Sequence, residues 1–413
     1  MDAFLKCRVW PAAAAVIGSG AVVAGMLLAT PGTAQATTLA CGSAVTTSVT
    51  LTANVNCTAD TTDNGLNIEA PDVTVNLNGH SILGPGDTYQ TSGVSDNGYS
   101  GVTVESGTIS NFTSALDFEG SSGSDLTGIV AEHVTATETT LGDEDYGFYA
   151  EYLTGASISS MTVKGAYYGV YLADSSSSTV TGNQVSGAFI GLYDDGGMAN
   201  TWSHNTVSLA SYWFGVEALE TTGTVIASNT ITGSASDGVF NADGTSVSIT
   251  GNTLSGLYDG IYDDESTGTT ASGNTALGDL FGLYAYEPDG AAYTGNHLSH
   301  GMYGIETDYP ASETLKKNTT DGNSEAGVYV YTADGTGTYS AALTSNTADK
   351  NAYGLYSQIP ATGSGNEASG NSVLNCYNVK CNKAKGATKV PAPPHHPPAI
   401  NKAATRAPAA RSA

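Results

Sequence analysis

Arginine is missing from residues 37–379, and that stretch sets only four lysines, Lys164, Lys316, Lys317 and Lys350, against 38 acidic side chains. So negative a surface repels phosphate, which excludes nucleic acid as a partner. Charged residues of both signs make up only 13% of the chain. No stretch has the Ala/Glu/Lys/Leu pattern of a long helix, so a helical bundle is excluded too. Cysteine is scarce, at five in 413 residues. Hydrophobic residues nevertheless reach 40%, enough for a core and too many for a disordered chain. Glycine, at 51, stands out among the small and polar residues that fill the rest. This composition predicts an extracellular all-β protein.

The ends differ from the middle. Lys6 and Arg8 precede an apolar run from Ala12 to Ala29, and Ala34-Gln35-Ala36 offers small residues for cleavage. Residues 1–36 therefore read as a signal peptide, and the protein as secreted, with no membrane contact once cleaved. Residues 380–413 carry seven basic side chains and no acid, and six of the 13 prolines lie there. From about Lys383 to Ala413 the sequence predicts a disordered basic tail. Four cysteines remain outside the signal, Cys41, Cys57, Cys376 and Cys381, which predicts two disulfides.

The strongest pattern is a repeat. A glycine followed by an apolar residue, and then usually an aromatic, recurs at Gly147, Gly169, Gly191, Gly215, Gly238, Gly260, Gly282, Gly304, Gly327 and Gly354. Fourteen residues after seven of these stands an asparagine (Asn183, Asn205, Asn229, Asn252, Asn274, Asn296, Asn318), with Asn346 and Asn371 in the two longer repeats. A period near 22 is too short for helical pairs or propeller blades, and leucine-rich spacing is absent. It fits a parallel β-coil of three short strands and three turns, stacked at ~4.8 Å. Gly and Asn are assigned to turns, and stacked Asn side chains to ladders along the rod. Leu66–Ile68, Val73–Leu77, Val102–Val104 and Ile129–Val134 read as earlier coils, making about twelve or thirteen. The predicted layout is an N-terminal cap at 37–65, a parallel β-helix over 66–375 and a disulfide loop at 376–382. Since the cysteine pairs lie at opposite ends of such a rod, only Cys41–Cys57 and Cys376–Cys381 can close.

These coils resemble the right-handed parallel β-helix repeats of the pectin-lyase-like superfamily. Val73-Thr-Val-Asn-Leu-Asn-Gly-His-Ser-Ile82 is similar to a segment common in NosD-like secreted β-helix proteins of actinobacteria. The resemblance covers roughly residues 40–375. It implies the fold, whereas the superfamily's activities span lyases, hydrolases, epimerases and adhesins. Family chemistry is tested by what is missing. The lyases use a basic residue and further cations, whereas this body has no Arg and its four Lys do not cluster on the aromatic face. Asp194-Asp195, Asp263-Asp264 and Ser299-His300-Gly301 echo the polygalacturonan hydrolases, but their Arg-x-Lys has no counterpart. The alginate-epimerase pattern of a His between two acids is absent as well. NosD is linked with copper delivery, yet no dense His/Met/Cys cluster stands in the body.

Strand alternation places the residue after each repeat glycine in the core and the next one in solvent. The outward column then reads Tyr149, Tyr171, Tyr193, Glu217, Phe240, Tyr262, Tyr284, Glu306, Tyr329 and Tyr356, and two positions further on stand Glu151, Asp195, Asp264, Tyr286, Asp308 and Tyr331. Such a column is either a structural aromatic ladder or a platform for sugar rings. Tyr193, Tyr262, Tyr284 and Tyr286 are the candidate sugar contacts. Glu306 and Asp308, with Asp264, are the candidate catalytic carboxylates, their spacing permitting an inverting hydrolase. No cofactor is expected. Asp263-Asp264-Glu265 has oxygen ligands for Ca²⁺ but lacks the nonapeptide spacing of calcium-binding rolls. The expectation is a monomeric module that binds a neutral or basic polysaccharide or the cell wall, or serves as a structural module at the cell surface, with a polysaccharide-degrading enzyme, preferably a hydrolase, as the alternative.

Overall fold

The computed structural model describes residues 35–86, 89–138, 145–209, 213–234, 236–332, 338–382 and 392–395. The proposed signal segment up to residue 34, and most of the tail beyond 382, lie outside the described residues. Gln35–Thr37, across the expected cleavage point, is a strand paired with Val49–Leu51.

Every described strand pairs in parallel with strands one coil before or after it, as a right-handed solenoid requires. Sheet 1 has fifteen strands, from Ser43–Val45 to Leu374–Tyr377, and contains all the repeat glycines. Sheets 2 and 3 are ribbons of three-residue strands, such as Thr179–Thr181 and Gln184–Ser186. They merge into a 23-stranded assembly because Thr103–Ser110 and Val130–Thr137 run unbroken across the corner between them. The fifteen strands exceed the twelve or thirteen coils expected. The difference arises at the ends, where segments assigned to a cap and a disulfide loop also pair into sheet 1. Cys41–Cys57 and Cys376–Cys381 are the two disulfides.

The residue after each repeat glycine, from Phe148 to Leu355, is at most 1% exposed and builds the core. The glycines themselves do not turn the chain. They lie within strands, and a Cβ on Gly260 would come 2.5 Å from the Gly282 carbonyl oxygen and 2.9 Å from Ala276 Cβ. Close stacking therefore demands glycine here, and the turn assignment is corrected.

The asparagines form the expected ladder at the corner between sheets 2 and 3. From Asn183 to Asn346, each side-chain amide donates at 3.0–3.1 Å to the Asn Oδ1 of the next coil. The last rung is Asn366. Asn371 belongs to a second, shorter row, in which its Oδ1 accepts the Asn351 backbone N–H and Asn351 Oδ1 in turn accepts the Asn323 backbone N–H. Left-handed backbone falls on the residue before each ladder asparagine, such as Gly251 at φ 64° and Lys317 at φ 56°. Asparagine is there to tie the corner, and its neighbour makes the bend.

Candidate functional site

Sheet 1 bends at its glycines, so the residue before each glycine lies outside the core together with the residue two after it. Ring pairs show the result. Tyr168 packs edge-to-face on Tyr171 at 5.4 Å, and Phe281 lies 5.4 Å from Tyr284. Along the rod Phe240, Tyr262 and Tyr284 follow at 5.1 Å intervals, and Phe281 stacks on Tyr303 at 5.1 Å. These rings form two aromatic clusters on the outer surface of sheet 1.

That packing changes the accessibility expected from alternation. Tyr193 is 1% exposed and Tyr262 6%, and Glu306 and Asp308 are sealed at 0% and 1%. They point away from the core, as alternation demands, but not into solvent. The contacts that cover them come from neighbouring coils, which strand period alone cannot report. Tyr284, Tyr286 and Asp264 are half-buried and reachable.

Register brings most of the candidates together. Tyr262, Tyr284, Glu306 and Tyr329 occupy one column, and Asp264, Tyr286, Asp308 and Tyr331 the column beside it. Tyr193 lies three coils before Tyr262 and outside this group. The Tyr284 hydroxyl donates to Asp308 Oδ2 at 2.9 Å, and Tyr171 repeats the motif with Asp195 at 3.1 Å. Each couples a ring on one coil to a carboxylate on the next. Burial raises the Glu306 carboxyl to about 8, so it holds its proton at neutral pH. Desolvation lifts Asp195 to about 6, against the hydrogen bond from Tyr171.

Sequence reasoning overlooked the column before the glycines, which adds Asp237, Asp259, Phe281 and Tyr303 to the same face. Its signal was available, since an aromatic or apolar residue precedes most repeat glycines. The Asp-Asp pairs divide between inside and outside. Asp194 faces the core, taking hydrogen bonds from Asn200 (2.8 Å), Trp202 Nε1 (3.1 Å) and Thr224 (2.8 Å). Asp263 is held likewise by Asn241 (2.6 Å), Thr269 (3.2 Å) and Tyr293 (2.6 Å). Their role is to satisfy a buried polar network, so neither pair forms the two-carboxylate site that its sequence echoes.

The sequence profile of the periplasmic copper-binding protein (NosD) matches residues 50–212 and again 198–389. No curated protein matches the chain. Among solved structures, the A-module of the mannuronan C-5 epimerase AlgE6 from Azotobacter vinelandii superposes with a TM-score of 0.57 at 14% identity, covering 78% of this chain and 91% of that one. The catalytic domain of a GH87 alpha-1,3-glucanase in complex with tetrasaccharides gives 0.51 at 11% identity, covering 77% and 64%. Identities this low establish a shared fold and nothing of activity. The profile's description names copper. Among the described residues no three His, Cys, Asp or Glu side chains converge on a common point, and Cys41, Cys57, Cys376 and Cys381 are tied in disulfides. That donor set does not fit a copper site.

Proposed function

Since the chain belongs to the NosD family, whose fold it shares with polysaccharide-active β-helix enzymes, we propose that it is an exported carbohydrate-contacting solenoid with its contact surface on sheet 1 between Asp259 and Tyr331. One observation carries this reading: half-buried Tyr284 and Tyr286 stand two residues apart on one strand, in adjacent columns, with half-buried Asp264 in register with Tyr286 on the coil before. Sugar rings stack their apolar faces on such rings and donate hydroxyls to such carboxylates. The acidic body favours a neutral or basic glycan over a uronate polymer. The disulfides suit an oxidising compartment outside the cytosol.

Hydrolysis is the second reading, and the raised Glu306 carboxyl favours it. A carboxyl that keeps its proton at neutral pH beside the Tyr284-bonded Asp308 has the character of a general acid. Both groups are sealed, however, so turnover would need the surface above them to open. Binding therefore comes first.

The test is retention of the protein on insoluble neutral polysaccharides. Tyr286→Ala should weaken retention roughly fivefold, the factor carried by one aromatic contact of ~1 kcal/mol, without moving the melting temperature. Glu306→Gln should leave retention unchanged. Unaltered retention in both Tyr286→Ala and Tyr284→Ala would refute the contact surface. Release of reducing ends that disappears in Glu306→Gln would replace binding by hydrolysis.

A further inference from the structure

The described part of the C-terminal tail, Ala392–His395, lies against the outer face of sheet 1. Tyr353 donates its hydroxyl to the Ala392 carbonyl at 3.0 Å, and Tyr303 donates to the His395 carbonyl. Between these anchors Pro394 is buried. Tyr303 and Tyr353 occupy one register column, with Ala326 on the coil between them, so the small side chain leaves a notch flanked by two rings. The dimensions agree. Two coil steps span ~10 Å, and three residues of an extended proline-rich chain advance ~9 Å.

We propose that the tail is a built-in strap, in which Ala-Pro-Pro-His docks along sheet 1 and occupies the end of the aromatic face next to Glu306. Proline-rich chain is recognised in this way elsewhere, because it enters aromatic grooves already extended and leaves its carbonyls free to accept tyrosine hydroxyls. Charge assists. Residues 380–413 carry seven basic side chains and no acid, whereas residues 37–379 carry four lysines and 38 acids, and the covalent link keeps the tail at high effective concentration. Two hydrogen bonds and one buried proline make a weak hold that a ligand could displace. Tyr303 stacks on Phe281 and has its own ionisation suppressed by burial and by nearby Glu306, so the strap ends beside the sealed carboxyl. Only this consequence for ligands rests on the carbohydrate reading.

Trypsin reads the strap in the full-length protein, because the body offers few cleavage points while Lys389 and Lys402 flank Ala392–His395. Cleavage after Lys389 needs the following residues free, so its rate tracks the undocked population. Tyr353→Phe and Tyr303→Phe should each speed it by roughly fivefold, the factor carried by one ordinary hydrogen bond. Replacing Pro393 and Pro394 by Ser should do the same, while cleavage after Arg411 stays constant as the internal control. Equal rates after Lys389 in the wild type and all three variants would overturn the strap. So would protection lost in high salt but untouched by the tyrosine changes, because charge alone would then hold the tail. The measurement involves no carbohydrate, so protection in a protein that retains no polysaccharide supports the strap and counts against the carbohydrate reading alone.

Discussion

Removing one rung of the asparagine ladder should destabilise the protein far more than an ordinary surface change. Asn252 is 1% exposed. Its Nδ2 donates to the Ile226 carbonyl at 2.9 Å and to Asn274 Oδ1 at 3.0 Å. Its Oδ1 accepts the Asn229 backbone N–H at 2.9 Å and the Asn229 side-chain amide at 3.0 Å. Alanine would delete all four bonds and leave the Asn229 N–H and the Ile226 carbonyl buried without this partner. Each buried group so orphaned costs ~1–3 kcal/mol, giving a loss of roughly 3–5 kcal/mol for Asn252→Ala. The neighbouring Thr253→Ala, at an exposed position, should stay within about 0.5 kcal/mol. Urea denaturation followed by tyrosine fluorescence measures both, provided the m-value holds. A double Asn229→Ala/Asn252→Ala variant should lose less than the sum of the singles, because adjacent rungs share bonds. A cost below about 1 kcal/mol for Asn252→Ala, or additive losses from the two rungs, would refute a stabilising ladder.

Other outcomes follow from the same contacts. Gly260→Ala should cost ~3 kcal/mol or abolish folding, because its Cβ meets the Gly282 carbonyl at 2.5 Å, whereas Gly290→Ala, left-handed but with nothing within 4 Å, should cost only about 1 kcal/mol; equal urea midpoints would contradict this. Burial raises Glu313 from 4.5 to about 8, so the folded state binds that proton more tightly than the unfolded chain. Its stabilising effect is complete below 4.5 and lost as pH rises through about 8, and Glu313→Gln should flatten the fall in melting temperature over that window. Tyr262→Ala, at a 6% exposed ring stacked between Phe240 and Tyr284, should lower stability by ~3 kcal/mol while Tyr286→Ala does not; calorimetry of the two variants separates a structural ring from a surface one.

Local pattern was enough for whatever repeats at a constant step. Phe148 through Leu355 could be placed in the core, and the cysteines paired end by end, because a 22-residue coil repeats one local geometry and hydrogen-bonded strands stack at one spacing. Where the step varies, counting failed. The steps from Asn318 to Asn346 and from Asn346 to Asn366 are 28 and 20 residues, and only the corner itself selects Asn366 for the ladder and sends Asn371 to another row.

The candidate site was legible in direction but not in accessibility. Alternation along a strand says that Tyr193, Tyr262, Glu306 and Asp308 point away from the core, since that depends only on the backbone of their own coil. Whether water reaches them depends on rings from adjacent coils and on the column before the glycines. The same holds for the glycines, whose reason lies in the carbonyl of the next coil and not in their own φ. The contact of Ala392 and His395 with Tyr353 and Tyr303 joins residues 39 and 92 positions apart. No local preference encodes such a contact. It exists only because the solenoid stacks two tyrosines around Ala326 and the tail is long enough to come back to them.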